Sequence, residues 1–149
     1  KNLSWGILLL FGGGLSLAKA MSETGIILSV TEFITNTNLS VFIIVLMLIC
    51  LMLFMTELMS NVALVAVLAP VVAGVAIGLD IPILHLLIPV TIASSCAFML
   101  PMATPPNAIV FGSGLIRVPE MARAGFLVNI LGILIVSFVS VVLVPYFLL

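Results

Sequence analysis

The chain has 149 residues, of which 64% are hydrophobic and only 6% charged, with a formal net charge of −1. A soluble domain carries about 45–50% apolar and roughly 25% charged residues, so this composition is that of an integral membrane protein. Four Lys and Arg in all, with no basic cluster, exclude a nucleic-acid partner, which needs positive charge gathered against phosphates.

The first predicted element is a spanning helix over Leu3–Met21, with Trp5 and Lys19 as interfacial anchors. Its Gly12-Gly13-Gly14 lacks the spacing of a phosphate loop and reads as a close helix-packing surface. From Ser22 to Asn38 the pattern turns mixed, with Ile26, Ile27, Val30, Phe33 and Ile34 on one helical face and Glu23, Ser29 and Glu32 off it. That arrangement predicts an amphipathic helix at the membrane interface. Residues 1–38 thus form a transmembrane helix plus an interfacial helix. The opening residues carry no initiator Met and no signal-peptide pattern, and the chain reads as one part of a longer protein.

Leu39–Met55 and Val62–Leu79 are apolar arms of 17 and 18 residues, each about 25 Å long at about 1.5 Å per residue. Both are marginal for a core about 30 Å thick, so residues 39–79 are expected to form a re-entrant hairpin with Ser60-Asn61 at its tip. A broken transmembrane helix is expected over residues 80–116, running from Ile83 to Leu100, interrupted at Pro101–Asn107 and resuming from Ala108 to Ile116. Residues 117–149 supply a polar connection, Arg117–Arg123, and a last full span from Ala124. The fold class is therefore an all-α, multi-pass integral membrane protein with a re-entrant hairpin and a discontinuous helix.

Two polar breaks inside apolar sequence are the strongest functional signal. Lipid offers irregular backbone no hydrogen-bond partners, so a break must be buried in protein or line a solvated site. Ser60-Asn61 stands before one apolar helix and Asn107 before the half-helix beginning at Ala108, in positions to cap free N–H groups or meet a ligand. Helix N-termini favour anions. The carbonyls around Leu58, Met59, Met102 and Ala103, with the hydroxyls of Thr56 and Ser60, suit a small hard cation such as Na⁺. Side by side they compose the chemistry of a cation-coupled anion symporter. The plain alternative is a helix cap and an ordinary loop, because Ser, Asn and Pro are common at helix ends.

Thr56-Glu57-Leu58-Met59-Ser60-Asn61-Val62-Ala63, and the later block Ser95-Cys96-Ala97-Phe98-Met99-Leu100-Pro101-Met102-Ala103-Thr104-Pro105-Pro106-Asn107-Ala108 continuing to Gly114, resemble the C-terminal half of the divalent anion:sodium symporter family. Trp5 to Gly14 resembles the preceding transmembrane helix of that family. The resemblance implies one half of an inverted-repeat transporter, completed by an N-terminal half, working as a homodimer in the cell membrane by an elevator movement. It implies Na⁺ as the co-transported ion and a divalent anion as substrate, C4-dicarboxylates such as succinate or malate first and sulfate or citrate as alternatives. By the same resemblance, Ser60, Asn61, Val62, Thr104 and Pro105 fall at the substrate site, and Thr56, Met59, Asn61, Ala103 and Asn107 at a sodium site. Val62 departs from the Thr found in many members and removes one hydroxyl from the anion site.

Glu57 is the one charged residue inside an apolar run, at a cost of about 2.5–3.5 kcal/mol at a bilayer centre if unpaired. It is either a proton or cation ligand or a buried acceptor that ties the hairpin tip to its neighbours. Cys50 and Cys96 read as small buried hydrophobes, and His85 as an interfacial residue. Two other classes stand beside the transporter. An intramembrane hydrolase would use Ser113 with His85, or Glu57 with Asp80, and a structural membrane subunit would use the breaks for packing alone.

Overall fold

The computed structural model describes residues 5–37 and 39–148, and every regular element among the described residues is a helix. Seven helices follow in order: α1 Trp5–Glu23, α2 Ile26–Thr35, α3 Val41–Thr56, α4 Asn61–Gly78, α5 Ile83–Ala93, α6 Pro105–Gly112 and α7 Val118–Leu148. Leu3 and Asn38, two of the expected helix limits, lie outside the described residues. Among the described residues, α4 over Asn61–Gly78 and α7 over Val118–Val142 are long and apolar enough to cross a membrane.

Gly25 makes the turn from α1 to α2 at φ 77°, a left-handed conformation in which a residue without Cβ carries no steric cost. The inner stripe of α2 is Ile27, Val30, Thr31 and Ile34, while Phe33, expected on the same face, is 73% exposed. That stripe meets α4, and Gly74 admits it: a Cβ there would run into the side chain of Ile27. Gly14 does the same for α1, since a Cβ at Gly14 would lie 2.9 Å from that of Ala66 on α4. The glycine triad of α1 therefore acts through Gly14 as a packing surface, and Gly12 and Gly13 face open space.

Ser40 caps α3 by accepting from the Ile43 N–H at 3.4 Å. The far end of α4 closes with Ile81 N–H donating to Ala76 C=O and Asp80 N–H donating to Ile77 C=O. Asp80 sits there at φ 55°, one of the few non-glycine types that tolerate that region. The arms α3 and α4 touch only slightly, because α5 lies between them and packs along both, and α7 covers α5 and α3. The core lies at this junction, with Ile49, Met52, Leu53, Val72, Val75, Leu86 and Ala93 all buried and Ile133 and Val136 of α7 closing one side.

Four helix limits differ from the sequence expectation. Helix α5 ends at Ala93 rather than Leu100. Residues 94–104 form the break instead, because Phe98, Met99 and Leu100 turn their N–H groups onto Glu57 and Pro101 and Pro105 restrict the residues before them. Helix α6 begins at Pro105 rather than Ala108 and ends at Gly112 rather than Ile116. Proline is favoured in a first turn, where its missing N–H is no loss, and Gly114 at φ 72° turns the chain away. Finally, Arg117–Arg123 is no connection: α7 starts at Val118, with the Glu120 carboxylate accepting from the Arg117 N–H at 2.9 Å. An acid in the first turn reaching back to the cap is a helix-start signal.

Outside the core the surface is apolar, with Leu9, Ile109, Leu115, Leu127 and Phe138 each more than 60% exposed. Soluble monomers do not carry apolar surface on this scale. Lipid is its natural cover.

Candidate functional site

The connection between α3 and α4 places Ser60, Asn61 and Val62 at the start of α4. Across from them the break delivers Pro101, Met102, Ala103, Thr104 and Pro105. Together with Ala108 they line one cavity of about 480 Å³. Of the residues assigned by resemblance, Ser60, Asn61, Val62, Ala103, Thr104 and Pro105 thus share a single space. A second cavity of about 470 Å³ lies between α4 and the end of α5 and reaches Asn61 and Val62 from the other side, with Thr91, Ser94 and Ser95 on its polar edge. Asn61 and Val62 divide the two.

The two helix N-termini at the first cavity are unequal. Ser60 is the cap residue of α4, yet its hydroxyl makes no capping hydrogen bond. The first α4 backbone bond closes at Leu64, which donates to Ser60 C=O, so the N–H groups of Asn61, Val62 and Ala63 are free of the helix ladder. On α6, Pro105 and Pro106 have no N–H, and Ala108 N–H is already given to Thr104 C=O. Only Asn107 N–H remains in that first turn. Of the two helix N-termini expected to favour an anion, α4 carries the free N–H donors, and α6 contributes little beyond its dipole.

Asn107 is not the cap of α6 but its third residue, 7% exposed, with Nδ2 donating at 3.0 Å to both Ala97 C=O and Leu100 C=O. Its side chain holds the break closed from within. Thr56, fully buried, has Oγ1 at 2.5 Å from Asn61 Oδ1 and 2.8 Å from Ser94 C=O. A hydroxyl has a single proton. With that proton given to Ser94, the Asn61 contact is satisfied when the amide turns Nδ2 to Thr56. Among the described residues, no backbone donor reaches the carbonyls of Met59 or Ala103.

Glu57 is 4% exposed and surrounded by donors. Phe98 N–H donates to Oε1 at 2.9 Å, Met99 N–H to Oε1 at 3.0 Å and Oε2 at 3.2 Å, and Leu100 N–H to Oε2 at 3.0 Å. Asn129 of α7, fully buried, adds Nδ2 to Oε1 at 2.6 Å and accepts from Phe98 N–H at 3.2 Å. The carboxylate is spent on the protein. Of the two sequence readings of Glu57, the geometry carries the buried acceptor. Sequence reasoning missed Asn129, although an amide midway along an apolar span is the same signal that singled out Glu57.

The remaining sequence candidates lie elsewhere. Ser113 donates its hydroxyl to Val110 C=O at 2.7 Å, and His85 is in the first turn of α5. Cys50 and Cys96 are unpaired and half-buried. Among the described residues no three His, Cys, Asp or Glu gather as metal ligands, and Na⁺ would have to be met by amide, hydroxyl and carbonyl oxygens.

Comparison with known proteins places the chain among relatives. The family described as sodium:sulfate symporter transmembrane region matches residues 1–147. A sodium-dependent dicarboxylate transporter, SdcS, of Staphylococcus saprophyticus is 43% identical over 146 residues, covering 97% of this chain and 28% of that protein. The SdcS of Staphylococcus aureus strain MRSA252 is 41% identical over the same extent. The chain therefore spans about 28% of the length of these curated relatives. From its matched length and its identity to these relatives, the chain is an integral membrane protein and belongs to the sodium:sulfate symporter family, the divalent anion:sodium symporters.

Proposed function

We propose that the chain is one part of a sodium-coupled symporter of divalent anions, with C4-dicarboxylates such as succinate or malate as substrates. The observation that carries this is the shared cavity, in which the uncapped N-terminus of α4 with Ser60, Asn61 and Val62 faces Ala103, Thr104 and Pro105. The anion is received by the N–H groups of α4 and the hydroxyls of Ser60 and Thr104. Sodium is received by Asn61 Oδ1, Thr56 Oγ1 and the carbonyls of Met59 and Ala103, with Asn107 holding the break in register. The names of the staphylococcal relatives support a dicarboxylate over sulfate or citrate.

An N-terminal half, related by an inverted repeat, completes the site in this reading. The α3–α4 pair serves as the re-entrant hairpin, α2 lies at the interface, and the carrier works as a homodimer with elevator movement. The hydrolase reading fails on Ser113, whose hydroxyl is committed to Val110 C=O, and on Glu57, whose carboxylate is enclosed by donors.

The test is uptake of labelled succinate by proteoliposomes holding the full-length carrier, with an inward gradient of Na⁺ or of choline. The expected result is accumulation with Na⁺ alone. Equal uptake in both would contradict the proposal.

A further inference from the structure

We infer that Glu57 is a positioning residue that locks the tip between α3 and α4 to the break between α5 and α6, and so sets the separation of the two walls of the sodium site. The inference rests on the symport reading above and goes beyond it, because Glu57 touches neither proposed ligand. Its carboxylate is not among the residues lining the 480 Å³ cavity. It faces instead three consecutive backbone N–H groups, those of Phe98, Met99 and Leu100, and the Asn129 amide.

All four partners are donors, which matches an ionised carboxylate, an acceptor at both oxygens. Backbone N–H groups of an irregular segment in a membrane protein need partners within it, and here the chain supplies an anion of its own. The positions on either side make this more than a packing feature. Thr56 precedes Glu57, Asn61 follows four residues later, and Leu100 runs through Pro101 into Ala103 and Thr104. The proposed sodium ligands therefore sit on two separate segments, and the carboxylate of Glu57 bridges those segments a few residues from each ligand group. Charge-assisted hydrogen bonds are short and directional, so they fix distance as well as adhesion. Asn129 anchors the junction to α7, against which the break is pressed so closely that a Cβ at Gly125 would meet the backbone of Phe98 and Met99.

The experiment compares wild type and Glu57→Gln in the purified full-length carrier, both checked for monodispersity. Two quantities are read: the Na⁺ concentration that half-saturates dicarboxylate binding, and hydrogen exchange of the amides of residues 98–100. Gln places an NH₂ group against N–H donors. Half-saturating Na⁺ should rise at least tenfold with the number of coupled Na⁺ ions unchanged, and amides 98–100 should exchange at least tenfold faster while those of Leu86, Leu87, Ile88 and Val90 stay protected. Unchanged half-saturating Na⁺ in a well-folded variant overturns the inference. So does loss of one coupled Na⁺, which would make Glu57 a ligand. Should Glu57→Gln fail to fold, Asn129→Ala decides: it leaves the three backbone donors in place and should raise half-saturating Na⁺ about threefold, and no change overturns the inference. A wild-type carrier indifferent to Na⁺ would defeat the symport reading instead, while the exchange measurement would still test the lock.

Discussion

Asn61 is where the chemistry of the site concentrates. It opens α4, borders both cavities and contacts Thr56, which in the proposed symport sets one amide between an anion held by helix N–H groups and a cation held by oxygens. Replacing it with Ala removes one oxygen ligand of the proposed sodium ion, and with it part of the positive charge that holds the proposed anion. Asn61→Ala in the full-length carrier should therefore weaken dicarboxylate and Na⁺ binding together, each by about tenfold or more, as coupled ligands sharing one group require. Equilibrium binding of each ligand checks this. A variant with normal folding and both affinities intact would reduce Asn61 to a helix-start residue. Residue identities at this scale were legible in the sequence, since Ser60-Asn61 and Thr104–Asn107 are polar breaks in apolar runs. Their roles were less so. Asn107 was expected as a cap and is instead a buried donor to Ala97 and Leu100, because the prolines before it could already begin a helix.

Among the elements, α7 is the one the sequence understated. Apolar length announces a spanning helix, but it does not say which face meets the break. Gly125, Asn129 and Gly132 recur at helical spacing, and they put α7 against Phe98, Glu57 and Cys96 respectively. A contact between distant segments leaves no local periodic signal, which is why α5 was expected to run on to Leu100 although Glu57 had already claimed the N–H groups of residues 98–100. The same geometry makes Gly125 sensitive. A methyl group there would collide with the backbone of Phe98 and Met99, which cannot move aside as a side chain would. Overpacking costs about 1–3 kcal/mol where neighbours can adjust, so Gly125→Ala should cost at least that. A lowered melting temperature of the purified carrier would show it. Gly12→Ala, facing open space, serves as the silent control.

For the whole molecule, the apolar exterior and the two proposed charged ligands pose a single electrostatic problem. A dianion taken from water into a protein surrounded by lipid needs compensating charge. No Lys or Arg lines the cavity, and the α4 N-terminus supplies only about half a unit of positive charge. In the proposed symport, sodium supplies the rest within this part of the carrier. The deciding measurement is the dicarboxylate affinity of the purified full-length protein in Na⁺ and in choline at equal ionic strength. Binding should be at least tenfold tighter in Na⁺, and equal affinity in the two would contradict cation-assisted capture and assign the anion's charge partner to a basic residue outside residues 1–149.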